Sequence, residues 1–327
     1  MTITVDIHHH IIPDFFWQAT NEGDNPVGGI SPAAWSPEST LSFLDDAGIA
    51  VAVTSISTPG VNTGNDASAR LLARQCNELS AELIKDHPSR FAGFACLPLP
   101  DVDGALGELT YALDDLNLDG VVLFSNARGV YLGDSTLTPL FDELQRRRVV
   151  TFVHPNASPD PSAHRLGLPD SLIDFTADTT RAIAQLLYTN TFARTPDVKY
   201  IFSHAGGTIP YLAGRFGIVD EMGVIPGAES RSSAADTYRN LYFDTALSWG
   251  DPVLTMLRAV AGIDHVLFGS DYPYLRRDLA VGCRQRIEES PVLTDAERTA
   301  VLGATAINLL PRLARVEAGA LPSAWHG

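Results

Sequence analysis

The feature that most constrains how this chain can fold is a recurrence: short runs of apolar and β-branched residues, each followed by a longer segment with helical periodicity. About eight such runs can be marked, at 3–7, 51–56, 91–97, 120–124, 149–153, 199–202, 241–243 and 265–268. Hydrophobicity that is continuous rather than alternating marks strands covered on both faces, the situation of parallel strands joined by crossover helices. The intervening segments suit helices: 65–86 is rich in Leu and Ala, and 101–116 opens with acidic residues that match the positive end of the helix dipole. The alternation predicts an α/β fold, a (β/α)8 TIM barrel, as a single domain over residues 1–327. No linker divides it, and no short-period repeat suggests a solenoid. Two stretches rich in Pro, Gly, Asn, Asp and Ser, 13–37 and 155–169, are expected as insertion loops after strands 1 and 5, on the carboxyl face where such a barrel builds its site. The segment 294–313 is expected to be helical, with Thr294 as N-cap and Glu297 at capping-box spacing.

Composition narrows the partners. Apolar residues at 45% and charged residues at 19% supply a large core. The 23 Lys and Arg against 39 Asp and Glu give a net charge of -16, a field that repels polyanions and excludes nucleic acid as a partner. Cys76, Cys96 and Cys283 lie far apart without CxxC spacing, which fits a reducing cytoplasm better than a disulfide framework. The amino terminus enters a strand directly, and no apolar run reaches the roughly 18 residues of a membrane-spanning helix. A cytoplasmic protein with no membrane partner is expected.

Chemistry concentrates where strands end. In Val5-Asp6-Ile7-His8-His9-His10, strand alternation puts His8 and His10 on one face and His9 on the other. Asp6 shares the parity of His8 and should face inward, either orienting an imidazole or serving as a buried structural carboxylate. His154 follows the run 149–153, His204 follows Tyr200-Ile201-Phe202-Ser203, and Asp271 follows Val266-Leu267-Phe268-Gly269-Ser270. Four strand ends thus bring imidazoles and a carboxylate to one barrel face, a donor set suited to a divalent cation. Phe15, Phe16, Trp17 and Tyr274 also follow such ends; of these Tyr274 is the expected substrate contact, stacking on an aromatic ring. His164, in the long fifth loop, is expected to face solvent.

Four strings carry a resemblance that spans nearly the whole chain: Asp6-Ile7-His8-His9-His10-Ile11-Ile12-Pro13, Phe152-Val153-His154-Pro155, Ser203-His204-Ala205-Gly206-Gly207-Thr208-Ile209-Pro210-Tyr211 and Gly269-Ser270-Asp271-Tyr272-Pro273. With them the chain resembles the amidohydrolase superfamily, in the branch of aminocarboxymuconate-semialdehyde and γ-resorcylate decarboxylases. Ser57-Thr58-Pro59-Gly60, Arg90-Phe91-Ala92-Gly93-Phe94, 119–124 and Thr179-Thr180-Arg181 bring it nearest to the 6-methylsalicylate decarboxylases within that branch.

The resemblance implies that His8, His10, His154 and Asp271 hold one divalent ion, Zn²⁺ in first place and Mn²⁺ in second, with His204 beside it as a catalytic or supporting group. It also implies that Arg215 binds the carboxylate of a small aromatic substrate, across the interface of a homodimer or higher homo-oligomer. The implied reaction is non-oxidative decarboxylation of a hydroxylated aromatic acid, with Asp271 and His204 as the proton-handling pair. Two-metal hydrolytic relatives carry a lysine at the end of the fourth strand; Ser125-Asn126 stands there instead, which favours a single ion. The alternative is a hydrolase of a lactone or amide, with Asp271 as base and His204 stabilising the oxyanion.

Overall fold

The structure, a computed structural model, describes residues 3–21, 27–32, 34–159, 167–225 and 232–319. Eight strands, β1 (Val5–His10), β2 (Val51–Ser55), β3 (Phe91–Cys96), β4 (Gly120–Phe124), β5 (Val150–His154), β6 (Lys199–Phe202), β7 (Tyr242–Asp244) and β8 (Val266–Leu267), form one parallel sheet in chain order. The sheet closes on itself: Ile7 N–H donates to Phe268 O at 2.9 Å, Asp271 N–H to His8 O at 2.9 Å and His10 N–H to Tyr272 O at 2.8 Å. Helices separate successive strands, and the architecture is the (β/α)8 barrel. A short antiparallel pair, Asn126–Ala127 with Val130–Tyr131, lies outside the barrel sheet.

Each expected run contains or overlaps a strand. The largest shift is at β1, which continues through all of His8, His9 and His10, because their backbone groups find partners on both sides: His9 and His10 pair with Thr54 and Ser55 of β2, and the segment after β8 supplies the rest. The same strand decides Asp6 as the buried structural carboxylate, accepting the backbone N–H of His8 and of Ser270, and corrects its expected inward facing. Pairing passes from Asp6 opposite Ala52 to His9 opposite Thr54, so three steps on β1 match two on β2. This bulge resets the alternation. Asp6 therefore keeps company with His9, whose Nδ1 is 3.1 Å from its Oδ2, and not with the rings of His8 or His10. Its carboxylate also accepts from the Ser270 N–H at 2.9 Å and the Ser270 hydroxyl at 2.6 Å, tying the closing seam together. His9 is fully buried between this carboxylate and the rings of Phe43 and Tyr272.

Helix Asp66–Asp86 starts at Asn65, whose side chain accepts from Ser68 N–H, and helix Val102–Thr110 starts at Asp101, which accepts from Gly104 N–H. The Thr294–Glu297 capping box is present. The helix expected over 294–313 is divided: Leu310 is extended, as the residue before a proline prefers, and Pro311 opens a new helix. That last helix is fastened to the base of the barrel by Arg312, whose Nε is 2.8 Å from Asp119.

After β1 the chain forms helix Asp14–Thr20 and a short turn at Val27–Gly29. Gly28 has φ 85°, and a Cβ there would come within 2.7 Å of the Phe175 ring, so only glycine lets this segment lie on helix Asp174–Tyr188 over the barrel mouth. His164 lies outside the described residues.

Candidate metal centre

The carboxyl ends of β1, β5, β6 and β8 bring His8, His10, His154, His204 and Asp271 to one place. One donor atom from each of His8, His154, His204 and Asp271 lies within 4.8 Å of all the others. His10 joins the same cluster: its Nε2 is 3.0 Å from His8 Nε2 and 3.3 Å from Asp271 Oδ1, while His8 Nε2 is 3.4 Å from that oxygen. Two donors held about 2.0–2.1 Å from one ion at angles between octahedral and tetrahedral are about 2.8–3.4 Å apart. The triangle His8, His10, Asp271 has those edges, so the cluster fits one divalent cation.

For His154 the partner of the far ring nitrogen fixes which nitrogen is free. His154 Nδ1 is 2.8 Å from the Pro155 carbonyl, a pure acceptor, so Nδ1 carries the proton and Nε2 keeps its lone pair for the cavity. His8 Nδ1 is 2.7 Å from Asp244 Oδ2 and His10 Nδ1 is 3.3 Å from Ser55 Oγ. His204 differs: its Nε2 is 3.4 Å from Asp271 Oδ2, and its buried Nδ1 has no hydrogen-bond partner among the described residues.

Electrostatics favour a cation. Burial opposes a proton on His8, but Asp244 and Asp271 outweigh it and raise the imidazole to about 10. Burial holds His10 and His154 below the usual histidine range. Burial would raise Asp271, yet the charge on His8 and hydrogen bonds from His10 and His204 keep it well below the usual carboxylate range. Beneath the cluster the floor is apolar, with Phe152 at 5.1 Å from the His8 ring and stacked on Phe94.

Above it opens a cavity, about 540 Å³ of empty space when the open solvent at its mouth is included. His154, His204 and Asp271 form its base, and Ile30, Phe175, Leu247, Tyr274 and Leu275 much of its wall. Tyr274 stands edge-on to His10 at 5.6 Å, and Ser57 lines the same cavity. Phe15, Phe16 and Trp17 do not line this cavity; Phe16 is buried in the core. Arg215 is exposed on helix Ile209–Glu221 and does not reach the cavity of its own chain. Ser125, at the end of β4, is hydrogen-bonded to Asp178 and accepts from the Asn156 N–H at 2.8 Å, so that strand end serves the loop scaffold.

His204 and Asp271 share an unusual backbone. Both have positive φ, 51° and 58°, and Ala205, Gly206 and Gly207 continue at 58°, 72° and 67°. Strain of this kind persists only where the surroundings fix it. At Gly207 a Cβ would lie 2.1 Å from the Thr176 carbonyl oxygen. Gly207→Ala is therefore expected to lower the unfolding free energy by about 2–4 kcal/mol, read from urea denaturation, and to displace His204. Wild-type stability in that variant would remove the argument for a locked turn.

Asp244 was missed by strand-end reasoning although the same signal marks it: it directly follows the apolar run 241–243. It is fully buried, and its Oδ1 accepts from the N–H groups of His204 at 2.8 Å and Ala246 at 2.9 Å.

A family model described as amidohydrolase matches residues 5–312. The 6-methylsalicylic acid decarboxylase of Aspergillus aculeatus is 35% identical over 329 residues, covering 97% of this chain and 99% of that protein. A crystal structure described as an amidohydrolase II superposes with TM-score 0.88 at 28% identity, covering 94% of this chain and 99% of that one. A dihydroxybenzoic acid decarboxylase from a Polaromonas species, crystallised with manganese and the inhibitor 2-nitroresorcinol, has the same fold at TM-score 0.81 and 22% identity, with 99% and 100% coverage. On the family match over most of its length and on this identity, the chain belongs to the amidohydrolase family, in the branch that contains the 6-methylsalicylic acid decarboxylases.

Proposed function

We propose that residues 1–327 form one metal-dependent decarboxylase domain that releases CO₂ non-oxidatively from a hydroxylated aromatic carboxylic acid of the 6-methylsalicylate or γ-resorcylate type. One observation carries this: a cluster fit for a single divalent ion forms the base of a cavity walled by Ile30, Phe175, Leu247, Tyr274 and Leu275. An aromatic acid matches both parts, its ring against the wall and its oxygens toward the cluster.

The assigned ligands are His8, His10, His154 and Asp271, with Zn²⁺ preferred by three imidazoles and a carboxylate and Mn²⁺ the alternative. A divalent ion bound there supplies Lewis acidity that neutralises substrate oxygens next to the breaking bond. Tyr274 positions the ring. Asp271, ionised beside the cluster, takes the proton of the substrate's phenol and hands it to the ring carbon as CO₂ leaves, and His204, 3.4 Å from Asp271 Oδ2, relays a solvent proton back to the phenolate. The burial of the cluster keeps bulk water from competing for that proton.

Arg215 is assigned to the substrate carboxylate of a partner subunit in a cytoplasmic homodimer. Support comes from its helix, where Tyr211, Arg215, Ile218 and Met222 recur at one-face spacing and the three apolar members are 79%, 60% and 64% exposed. The three cysteines are buried free thiols, in keeping with a reducing compartment. Arg215→Ala and His204→Ala homodimers should each be inactive, while subunits mixed before refolding recover part of the activity. No recovery would place the arginine in its own subunit's chemistry or outside it.

The deciding assay is CO₂ release from a panel of hydroxybenzoates by protein loaded with Zn²⁺ or Mn²⁺, with lactones in parallel. Lactone turnover without CO₂ from any aromatic acid overturns the proposal in favour of a hydrolase.

A further inference from the structure

The geometry points to Asp244 as a positioning residue that sets the tautomer of one metal-binding histidine and the placement of the proton-relay histidine at once. The inference rests on the single-ion reading of the cluster. One oxygen, Oδ2, is 2.7 Å from His8 Nδ1; the other, Oδ1, accepts the backbone N–H of His204 at 2.8 Å and of Ala246 at 2.9 Å. The residue is wholly buried, and no lysine or arginine pairs with it among the described residues. Its two oxygens therefore have separate duties, one toward β1 and one toward the turn after β6.

The Asp244 oxygen accepts from His8 Nδ1–H, so it fixes a proton on Nδ1 and leaves Nε2, which faces His10 and Asp271, as the nitrogen that gives up its proton to hold an ion. The second duty falls on a backbone that needs holding. His204 has φ 51° and its Nδ1 makes no hydrogen bond among the described residues, so the N–H contact to Asp244 is a principal anchor of that residue. Neither duty follows from strand alternation, since β1, β6 and β7 meet here only in the closed barrel.

Asp244→Asn separates this from a packing role. The amide oxygen can still accept the two backbone N–H groups, but the NH₂ group then faces His8 Nδ1, a donor against a donor. His8 must move its proton to Nε2, where a lone pair is required. Zn²⁺ affinity, measured by competition with a chromophoric chelator, should fall by about 10–100-fold. The metal-free variant should still fold, read from its circular dichroism and a cooperative thermal transition. Asp6→Asn, a buried carboxylate on the outer side of β1, is the control and should keep wild-type Zn²⁺ affinity.

A second measurement does not depend on the variant folding. In wild-type protein loaded with Zn²⁺, nitrogen-15 NMR should show the His8 proton on Nδ1. A proton on Nε2, or wild-type Zn²⁺ affinity in folded Asp244→Asn, overturns the inference while leaving the metal site in place. Failure of wild-type protein to bind Zn²⁺ or Mn²⁺ overturns the single-ion reading itself.

Discussion

Dialysed against a strong chelator, the protein should lose all measurable decarboxylation and regain it as Zn²⁺ or Mn²⁺ is restored. The expectation follows from what the cluster does without a cation. Asp244 and Asp271 both face His8, and the imidazole answers by holding a proton up to about 10. A cation entering at neutral pH must expel that proton. The sign is fixed: the folded-state value lies above the ordinary 6.5, so the proton competes throughout the neutral range, and apparent metal affinity rises with pH until His8 has lost it. Calorimetric titration in buffers of different ionisation enthalpy reads the released proton directly. Loading should also raise the melting temperature, since a ligand at 100 times its Kd adds about 2.7 kcal/mol to the folded state. Full turnover by protein with no metal detectable by emission spectrometry would end the metal-dependent mechanism.

How much of this was legible in the sequence depends on which interactions are local. Strand positions were, because strands covered on both faces leave continuous apolar runs such as 120–124 and 199–202 that nothing else explains. His8, His10, His154, His204 and Asp271 were legible as a set because each ends a run, and a closed parallel barrel brings all such ends to one rim. The orientation of Asp6 was not. It depends on a bulge opposite β2, and strict alternation along one strand carries no information about its neighbour's register. Asp244 carries the same strand-end signal, since it directly follows the run 241–243; what nothing local shows is its pairing with His8 and the His204 N–H, 236 and 40 residues away. Likewise the break before Pro311 is written in the chain, but the capped, periodic pattern ahead of it invites a continuous helix. The left-handed turn at His204 through Gly207 is half legible, since two adjacent glycines suggest it while His204 and Ala205 do not.

Asp271→Asn, saturated with metal, should bind an aromatic acid and release little or no CO₂, with kcat reduced by about 10²–10⁴. Asparagine is the informative replacement. Asp271 has φ 58°, a conformation that Asn adopts readily and Ala does not, so the amide keeps the backbone and its N–H bond to the His8 carbonyl. What it removes is the negative charge and the ability to carry a proton. Metal affinity should fall as well, because one oxygen of the triangle with His8 and His10 becomes a neutral donor. Assays across a range of metal concentrations separate the two losses: the affinity defect is overcome by excess ion, and the proton-transfer defect is not. The origin of the proton gives an independent check. In deuterated water the wild-type product should carry deuterium at the ring carbon that held the carboxyl group, delivered by the His204–Asp271 pair 3.4 Å apart. Metal-saturated Asp271→Asn with wild-type kcat would leave Asp271 as a ligand alone, and the proton would then have to reach the ring from His204 without it.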